Sequence, residues 1–177
     1  SSCHHPQTHK IPLEELKDNP SALHNTNYKK QQRKKMLEGY RPSECQYCWN
    51  VEDLEGEHFS DRTIKSSNAD WAAPYFDDVI DAGWEGNITP RAVEVSFGNA
   101  CNLKCTYCSP IFSSKWQQEI EEKGAYPTSQ KFNNLHWIKQ TDRNPYLQRQ
   151  ENPYVDAFWR WWPDLRKKLT TFRITGG

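Results

Sequence analysis

The chain has 177 residues and a formal net charge of +0, so its overall charge does not point to nucleic acid or an anionic membrane as a partner. Only 35% of the residues are hydrophobic, the mean hydropathy is −1.01, and no apolar run approaches the length of a membrane span. This length accommodates one or two domains, and the 8 Trp and 8 Tyr residues partly compensate for the small aliphatic content of the core.

The first region, residues 1–66, is polar, and we predict two helices in it. The first is a short helix at 13–18, and the second runs over 28–38 and ends at Gly39. The second helix has a basic run made of Lys29, Lys30, Arg33, Lys34 and Lys35. Such a run either contacts RNA or an acidic substrate, or forms a solvated helix face, and we favour the solvated face.

Residues 67–90 are predicted to link this region to the second one, with a helix over 70–82. Residues 91–97 then alternate apolar and polar side chains and are rich in β-branched and aromatic types, which predicts a strand. Gly98 and Asn99 end this strand, and a Cys-rich loop follows.

Beyond the loop we predict a helix over 113–123, closed by Gly124, and a polar, irregular insertion over 124–151. Asn152 and the proline after it form a good helix start, with Asn as the cap. We expect Pro163 to kink or split this helix. Its apolar side chains recur at helical spacing and are predicted to pack against a sheet rather than to line a ligand pocket: Tyr154, Phe158, Trp161, Trp162, Leu165 and Leu169.

Residues 171–175 read as a second strand. Together with the strand at 91–97 and the helices between them, they predict a βαβ unit with parallel strands. The carboxyl ends of parallel strands lie at the same edge of a sheet, where α/β folds place their active sites. The Cys-rich loop and the final Gly176 and Gly177 are therefore predicted to be neighbours.

The loop contains three thiols at C-x3-C-x2-C spacing, contributed by Cys101, Cys105 and Cys108. Three thiolates can each bind one iron of a cubane cluster and leave the fourth iron open to a substrate or cofactor. A structural zinc site needs four ligands, and residues 98–110 contain no His and only these three Cys. A bacterial ferredoxin has a different Cys spacing. Zinc and thiols without a metal remain the alternatives to an iron–sulfur cluster.

With this motif after a first strand, the chain resembles the radical S-adenosylmethionine (radical SAM) superfamily. Tyr107 matches the aromatic residue before the last Cys, and Gly176-Gly177 resembles the start of a Gly-Gly-Glu motif. The resemblance implies an α/β fold in which residues 91–177 begin a parallel, partial (β/α)6 TIM-like barrel. Residues 67–90 would then be a linker with a helix.

Residues 1–66 resemble an auxiliary-cluster segment of the twitch or SPASM type, with Cys3, Cys45 and Cys48 as ligands of a second iron–sulfur cluster. Such a site normally has four thiols, so the fourth ligand is not identified. Zinc bound by these residues and by His4, His5 or His9 is one alternative. A redox-active Cys45/Cys48 pair is the other.

The resemblance also implies the activity and the cofactors. Cys101, Cys105 and Cys108 would hold an oxygen-sensitive [4Fe-4S] cluster, and S-adenosyl-L-methionine would bind its open iron. Gly176 and Gly177 would contact the methionine end of that cofactor, and Tyr107 would pack near its adenine. Reductive cleavage would give a 5′-deoxyadenosyl radical that abstracts hydrogen from a substrate, for which a peptide or protein is our preference.

We expect a cytoplasmic protein that takes electrons from a donor such as flavodoxin or ferredoxin, with neither a membrane nor nucleic acid as partner. The chain begins at Ser1, contains one Met and ends directly after a predicted strand, so we expect a fragment that is inactive in isolation. The alternative function is a non-catalytic zinc or iron–sulfur module for electron transfer, or for binding RNA or a partner protein.

Overall fold

The structure is a computed structural model of the chain and describes residues 9–67, 70–110, 112–127 and 151–175. Helices dominate these residues, and two short strands pair in a small sheet. The chain divides into two compact units, one formed by residues 1–93 and 156–171 and the other by residues 94–155 and 172–177. Within the described ranges, no helix is both long and apolar enough to cross a bilayer.

The two predicted helices of the first region are present. Helix α1 spans Leu13–Asp18, and α2 spans Asn27–Leu37. The Thr26 hydroxyl caps α2 by accepting a hydrogen bond of 3.1 Å from the Lys29 N–H. Gly39 follows α2 with φ of 81°, a left-handed conformation that glycine adopts without a steric penalty and that commonly ends a helix.

Two further helices, which the sequence did not predict, follow in this unit. Helix α3 spans Gln46–Glu52 and follows a 3-10 turn at Ser43–Cys45, and α4 spans Asp61–Ser67. Both are too short to be stable alone. An ion pair joins them, because Arg62 of α4 contacts the carboxylate of Glu52 at the end of α3 with an N···O distance of 2.5 Å.

Asn25, which lies just before α2, and Arg33, which lies on α2, form hydrogen bonds with the segment 84–88. The Asn25 amide donates to the Ile88 carbonyl at 2.9 Å and accepts from the Ile88 N–H at 2.9 Å, as a neighbouring strand would. The Arg33 guanidinium donates to the carbonyls of Trp84 and Gly86, at 3.3 and 2.7 Å. Asn25 is only 2% exposed, so these bonds also satisfy a buried amide.

The predicted helix over 70–82 is shorter in the structure. A 3-10 turn at Ala73–Tyr75 leads into α5, which spans Phe76–Asp81. Arg91 lies over the Tyr75 ring, 4.0 Å from its centroid, and contacts Asp78 at 3.2 Å. These contacts join α5 to the residue that precedes the first strand.

Both predicted strands are confirmed, and they are parallel. β1 spans Ala92–Val95 and β2 spans Thr171–Ile174. The Thr171 N–H donates to the Arg91 carbonyl at 3.1 Å, and the Thr175 N–H donates to the Val95 carbonyl at 2.8 Å. The residue numbers increase together along both strands, which defines a parallel register. A barrel built on this pair remains a prediction.

The predicted helix over 113–123 is confirmed as α6, which spans Ser114–Lys123. The predicted helix before β2 is confirmed as α7, which spans Pro153–Leu165. The Asn152 side chain caps it by accepting the Tyr154 N–H at 3.0 Å, as its sequence position indicated. The helix continues through Pro163 and is not split there. A proline removes one backbone donor and crowds the carbonyl four residues earlier, and the buried face of α7 supplies packing that offsets this cost. This face consists of Ala157, Phe158, Trp161 and Leu165.

Helix α7 contacts α1 through Arg160. The guanidinium donates to the Leu16 carbonyl at 2.8 Å and to the Lys17 carbonyl at 3.1 Å. These carbonyls lie in the last turn of α1 and have no partner within that helix. Residues 156–171 therefore group with the N-terminal part of the chain, whereas the predicted domains place them with residues 91–177. The domain boundaries at 66/67 and 90/91 stay predictions.

Replacing Leu165 with Ala should lower the free energy of unfolding by about 3 kcal/mol, because its side chain is 0% exposed and the cavity left behind would be only partly refilled. Urea denaturation followed by far-ultraviolet circular dichroism measures the change. Leu54→Ala is the matched control, because Leu54 is 56% exposed, and we expect it to change stability by less than about 0.5 kcal/mol. Equal losses in the two variants would contradict this description of the core.

Candidate metal centre

The three thiols of the motif lie on one segment that directly follows β1. We call residues 98–110 the Cys loop, and the structure assigns no helix or strand to it. Cys101, Cys105 and Cys108 are each half-buried in it, and each is a thiol rather than half of a disulfide. The Cys108 N–H donates to the Cys105 carbonyl at 3.0 Å, which closes a tight turn between the last two thiols.

The Cys loop is held by the first turn of helix α6, which spans Ser114–Lys123. The Ser114 N–H donates to the Asn99 carbonyl at 2.6 Å, and the Lys115 N–H donates to the Cys101 carbonyl at 3.2 Å. The first N–H groups of any helix lack partners inside the helix. Here the carbonyl groups of the loop accept hydrogen bonds from these N–H groups, so polar groups of both segments are paired.

Two serine hydroxyls add side-chain bonds at the same place. The Ser113 hydroxyl donates to the Leu103 carbonyl at 2.8 Å and caps α6 by accepting the Trp116 N–H at 3.3 Å. The Ser114 hydroxyl accepts from the Cys101 N–H and donates to the Cys101 carbonyl, both at 3.1 Å. Ser113 is 0% exposed, so these bonds satisfy a buried hydroxyl.

Trp116 holds the middle of the loop. Its indole N–H donates to the Cys105 carbonyl at 3.0 Å, and Lys104 lies over its ring at 5.7 Å from the centroid. Lys104 also forms an ion pair with Glu119 of α6. The Tyr126 ring meets the Trp116 ring edge-on at a centroid distance of 5.5 Å, and its hydroxyl donates to Glu119.

The side chains of the three cysteines are not gathered into one ligand set. Within the part of the chain that the structure describes, no group of three His, Cys, Asp or Glu side chains is arranged to hold a metal ion. The structure therefore places the three thiols on one anchored loop and leaves their assignment as metal ligands a prediction.

Tyr107, predicted to pack near an adenine, is 91% exposed. A hydrogen bond to the Cys105 sulfur, with smaller contributions from the negative charge of that thiolate and of Cys108, raises the pKa of the Tyr107 hydroxyl. The side chain is thus placed on the solvent side of the loop, next to the second thiol. Gly176, Gly177 and Cys3, which the sequence also assigned to cofactor or metal binding, lie outside the described residues.

The second predicted site contains Cys45, at the end of a 3-10 turn, and Cys48, on α3. Cys48 is buried at 2% exposure, whereas Cys45 is half-buried. His9, one of the alternative zinc ligands, stacks on Tyr28 at a centroid distance of 4.2 Å and contacts the carboxylate of Glu44 at 3.2 Å. This brings His9 beside the residue that precedes Cys45. His4 and His5 lie outside the described residues.

The helix that carries Cys48 is fixed by the residue next to it. The Trp49 indole N–H donates to the Pro42 carbonyl at 2.8 Å. The guanidinium carbons of Arg41 and Arg62 lie 5.2 and 4.3 Å from the Trp49 ring centroid. Each arginine also pairs with a carboxylate, Arg41 with Asp53 and Arg62 with Glu52. Cys48 therefore sits on a helix whose rotation is restricted by an aromatic anchor.

The basic run on α2 is partly used inside the protein. Arg33 binds backbone carbonyls, and Lys34 lies over the Trp84 ring at 4.9 Å from the centroid. Burial lowers the pKa of Lys29. Burial, followed by the charges of Lys29 and Arg33, lowers the pKa of His24 to about 3. Arg33 and Lys34 thus do not form a purely solvated face.

The residues that hold the Cys loop are not evident from the sequence pattern. Ser113, Ser114 and Trp116 were assigned only to the start of a helix, and Lys104 only to the spacer of the motif. The one available signal was the Ser-Ser pair at the predicted helix start, because serine is a favoured N-cap. Nothing local indicated that a tryptophan would reach back to the Cys105 carbonyl.

Comparisons with protein-family models, with curated proteins and with solved structures found no match for this chain.

We expect Glu52→Gln to destabilise the protein by about 1 kcal/mol at neutral pH and by less in acid. Burial raises the pKa of Glu52, but hydrogen bonds from Arg62, Ser60 and Thr63 and the Arg62 charge outweigh it and leave the pKa below 4.5. A carboxyl group with a lowered folded-state pKa stabilises the fold above its unfolded-state pKa and loses that contribution as pH falls through the folded-state value.

Urea denaturation at pH 7 and at pH 3 measures this difference. Glu57→Gln is the matched control, because Glu57 is exposed and should show little change at either pH. A loss for Glu52→Gln that is the same at both pH values would contradict the role of its charge.

Proposed function

We propose that this chain is part of a radical SAM enzyme whose first cluster is bound by Cys101, Cys105 and Cys108. The observation that carries the proposal is the way the Cys loop is anchored after β1. Its hydrogen bonds to α6 engage backbone groups of the loop at Asn99, Cys101, Leu103 and Cys105, and none of them uses a thiol. An anchored loop with available soft donors is what a cluster site requires.

The chemistry of the donor set fits an iron–sulfur cluster. Thiolates are the ligands that such clusters prefer, and three of them leave one iron for another ligand. A [4Fe-4S] cluster bound there would supply an electron for the reductive cleavage of S-adenosyl-L-methionine to a 5′-deoxyadenosyl radical. The protein's part is to orient the thiols and to keep their surroundings fixed.

Other residues would contact the cofactor as the family resemblance implies. Gly176 and Gly177 would allow the backbone to approach its methionine end closely, because glycine has no side chain. Tyr107 lies beside Cys105, and its high exposure makes the ring available to a bound group. The parallel pair β1 and β2 supports the start of a TIM-like barrel, because the Cys loop follows the carboxyl end of β1.

The second part of the proposal is an auxiliary cluster at Cys3, Cys45 and Cys48. The fixed helix around Trp49 supports a role for Cys48, and zinc with His9 as a ligand is the competing assignment. We further propose a peptide or protein substrate, a flavodoxin or ferredoxin as electron donor, and a cytoplasmic location. These three statements rest on the resemblance alone.

We expect the chain, reconstituted anaerobically with iron and sulfide and then reduced, to give an electron paramagnetic resonance signal that changes when S-adenosyl-L-methionine is added. The reason is that a ligand on the open iron alters the electronic structure of the cluster. The triple variant Cys101→Ala/Cys105→Ala/Cys108→Ala should lack the signal that responds. Iron and sulfide analysis of each sample gives the cluster content.

Cys45→Ala/Cys48→Ala is the matched control, because it removes thiols from the other site and should keep the responsive signal. A signal that ignores S-adenosyl-L-methionine would favour an electron-transfer protein. Zinc without iron or sulfide, after both aerobic and anaerobic preparation, would favour a non-catalytic module that binds RNA or a partner protein. A response that survives the triple substitution would refute the site assignment.

A further inference from the structure

Two side chains in the first turn of α6 bind the backbone of two different cysteines. The Ser114 hydroxyl bonds both the N–H and the carbonyl of Cys101, at 3.1 Å each. The Trp116 indole N–H bonds the carbonyl of Cys105 at 3.0 Å. The proposed function takes these bonds as part of what anchors the loop, but it gives neither side chain a role in metal binding.

These bonds fix the loop relative to a rigid element. Ser114 and Trp116 are two residues apart on one helix, so the positions of their polar atoms are set together. The Lys104 Nζ lies over the Trp116 ring at 5.7 Å from its centroid, and the Tyr126 ring meets it edge-on at a centroid distance of 5.5 Å. These two contacts restrict the rotation of the ring. The Cys101 and Cys105 backbones are therefore held at a separation that the helix dictates.

We propose that Ser114 and Trp116 are positioning residues that set the spacing between Cys101 and Cys105 for metal binding. The proposal rests on the proposed function only in taking the triad as a metal site. It goes beyond that function because it assigns the backbone positions of Cys101 and Cys105 to two side chains that carry no thiol or carboxylate. Fixing the backbone that carries two of the ligands before the metal binds lowers the entropic cost of binding.

Cobalt(II) alone is a suitable probe, because its absorption spectrum reports thiolate ligation and because it needs neither sulfide nor S-adenosyl-L-methionine. The background protein is the full chain with Cys3→Ala, Cys45→Ala and Cys48→Ala, which leaves the triad as its only thiols. Competition with a chelator under anaerobic conditions gives the affinity, and the thiolate-to-cobalt absorption band gives the geometry.

In this background we expect Trp116→Phe and Ser114→Ala each to weaken cobalt(II) binding by about tenfold and to alter the charge-transfer band. Phe keeps an aromatic ring for packing against Lys104 and Tyr126, and it removes the indole N–H together with the five-membered ring. Ser114→Thr keeps the hydroxyl, so this variant should show the same affinity and spectrum as the background protein. Trp159→Phe on α7 is the matched control and should leave both unchanged.

Thermal unfolding of the metal-free variants separates positioning from general stability. Positioning predicts a loss of affinity and an altered band at similar unfolding temperatures, with rescue by Ser114→Thr. An unaltered affinity and band in Trp116→Phe and Ser114→Ala would overturn the proposal. So would an equal loss in Ser114→Thr, or failure of the background protein to bind cobalt(II). A paramagnetic signal insensitive to S-adenosyl-L-methionine would instead refute the proposed function and leave this result standing.

Discussion

Hydrogen-bond satisfaction of the Cys loop backbone is the constraint on which the candidate site depends. The loop has no helix or strand, so its N–H and C=O groups have no regular partners, and leaving such groups unpaired away from water is costly. The start of α6 has the complementary requirement, because its first N–H groups lack acceptors within the helix. Each therefore supplies hydrogen-bond partners to the other. The Asn99 and Cys101 carbonyls accept from N–H groups of the helix, and serine hydroxyls and an indole N–H pair with further backbone groups of the loop.

The same physical rule organises the other compact unit. Arg160 supplies donors to the last carbonyls of α1, and Asn25 pairs with Ile88 as a strand would. Arg33 adds bonds to two more carbonyls in the same segment. A chain with a modest hydrophobic fraction thus relies on polar side chains to join short elements, and each of these bonds connects residues that are distant in sequence.

This arrangement has a chemical consequence for the triad. Since the anchoring bonds use backbone carbonyls and N–H groups, the sulfur atoms of Cys101, Cys105 and Cys108 are not needed to hold the loop. Tyr107 lies two residues after Cys105 and is 91% exposed. Cys48 differs, because its side chain is buried on a helix that Trp49 already fixes. The two thiol sets therefore present different environments to a metal.

The sequence by itself determined the local features of the chain. The two strands β1 and β2, the cap at Asn152, the end of α2 before Gly39 and the position of the triad after β1 all follow from neighbouring residues. Only the tertiary structure decided which distant groups meet. Arg62 of α4 pairs with Glu52 of α3, and the Trp116 indole N–H donates to the Cys105 carbonyl. Local periodicity reports which face of an element is apolar, whereas the partner of a polar atom depends on how separate segments fold together.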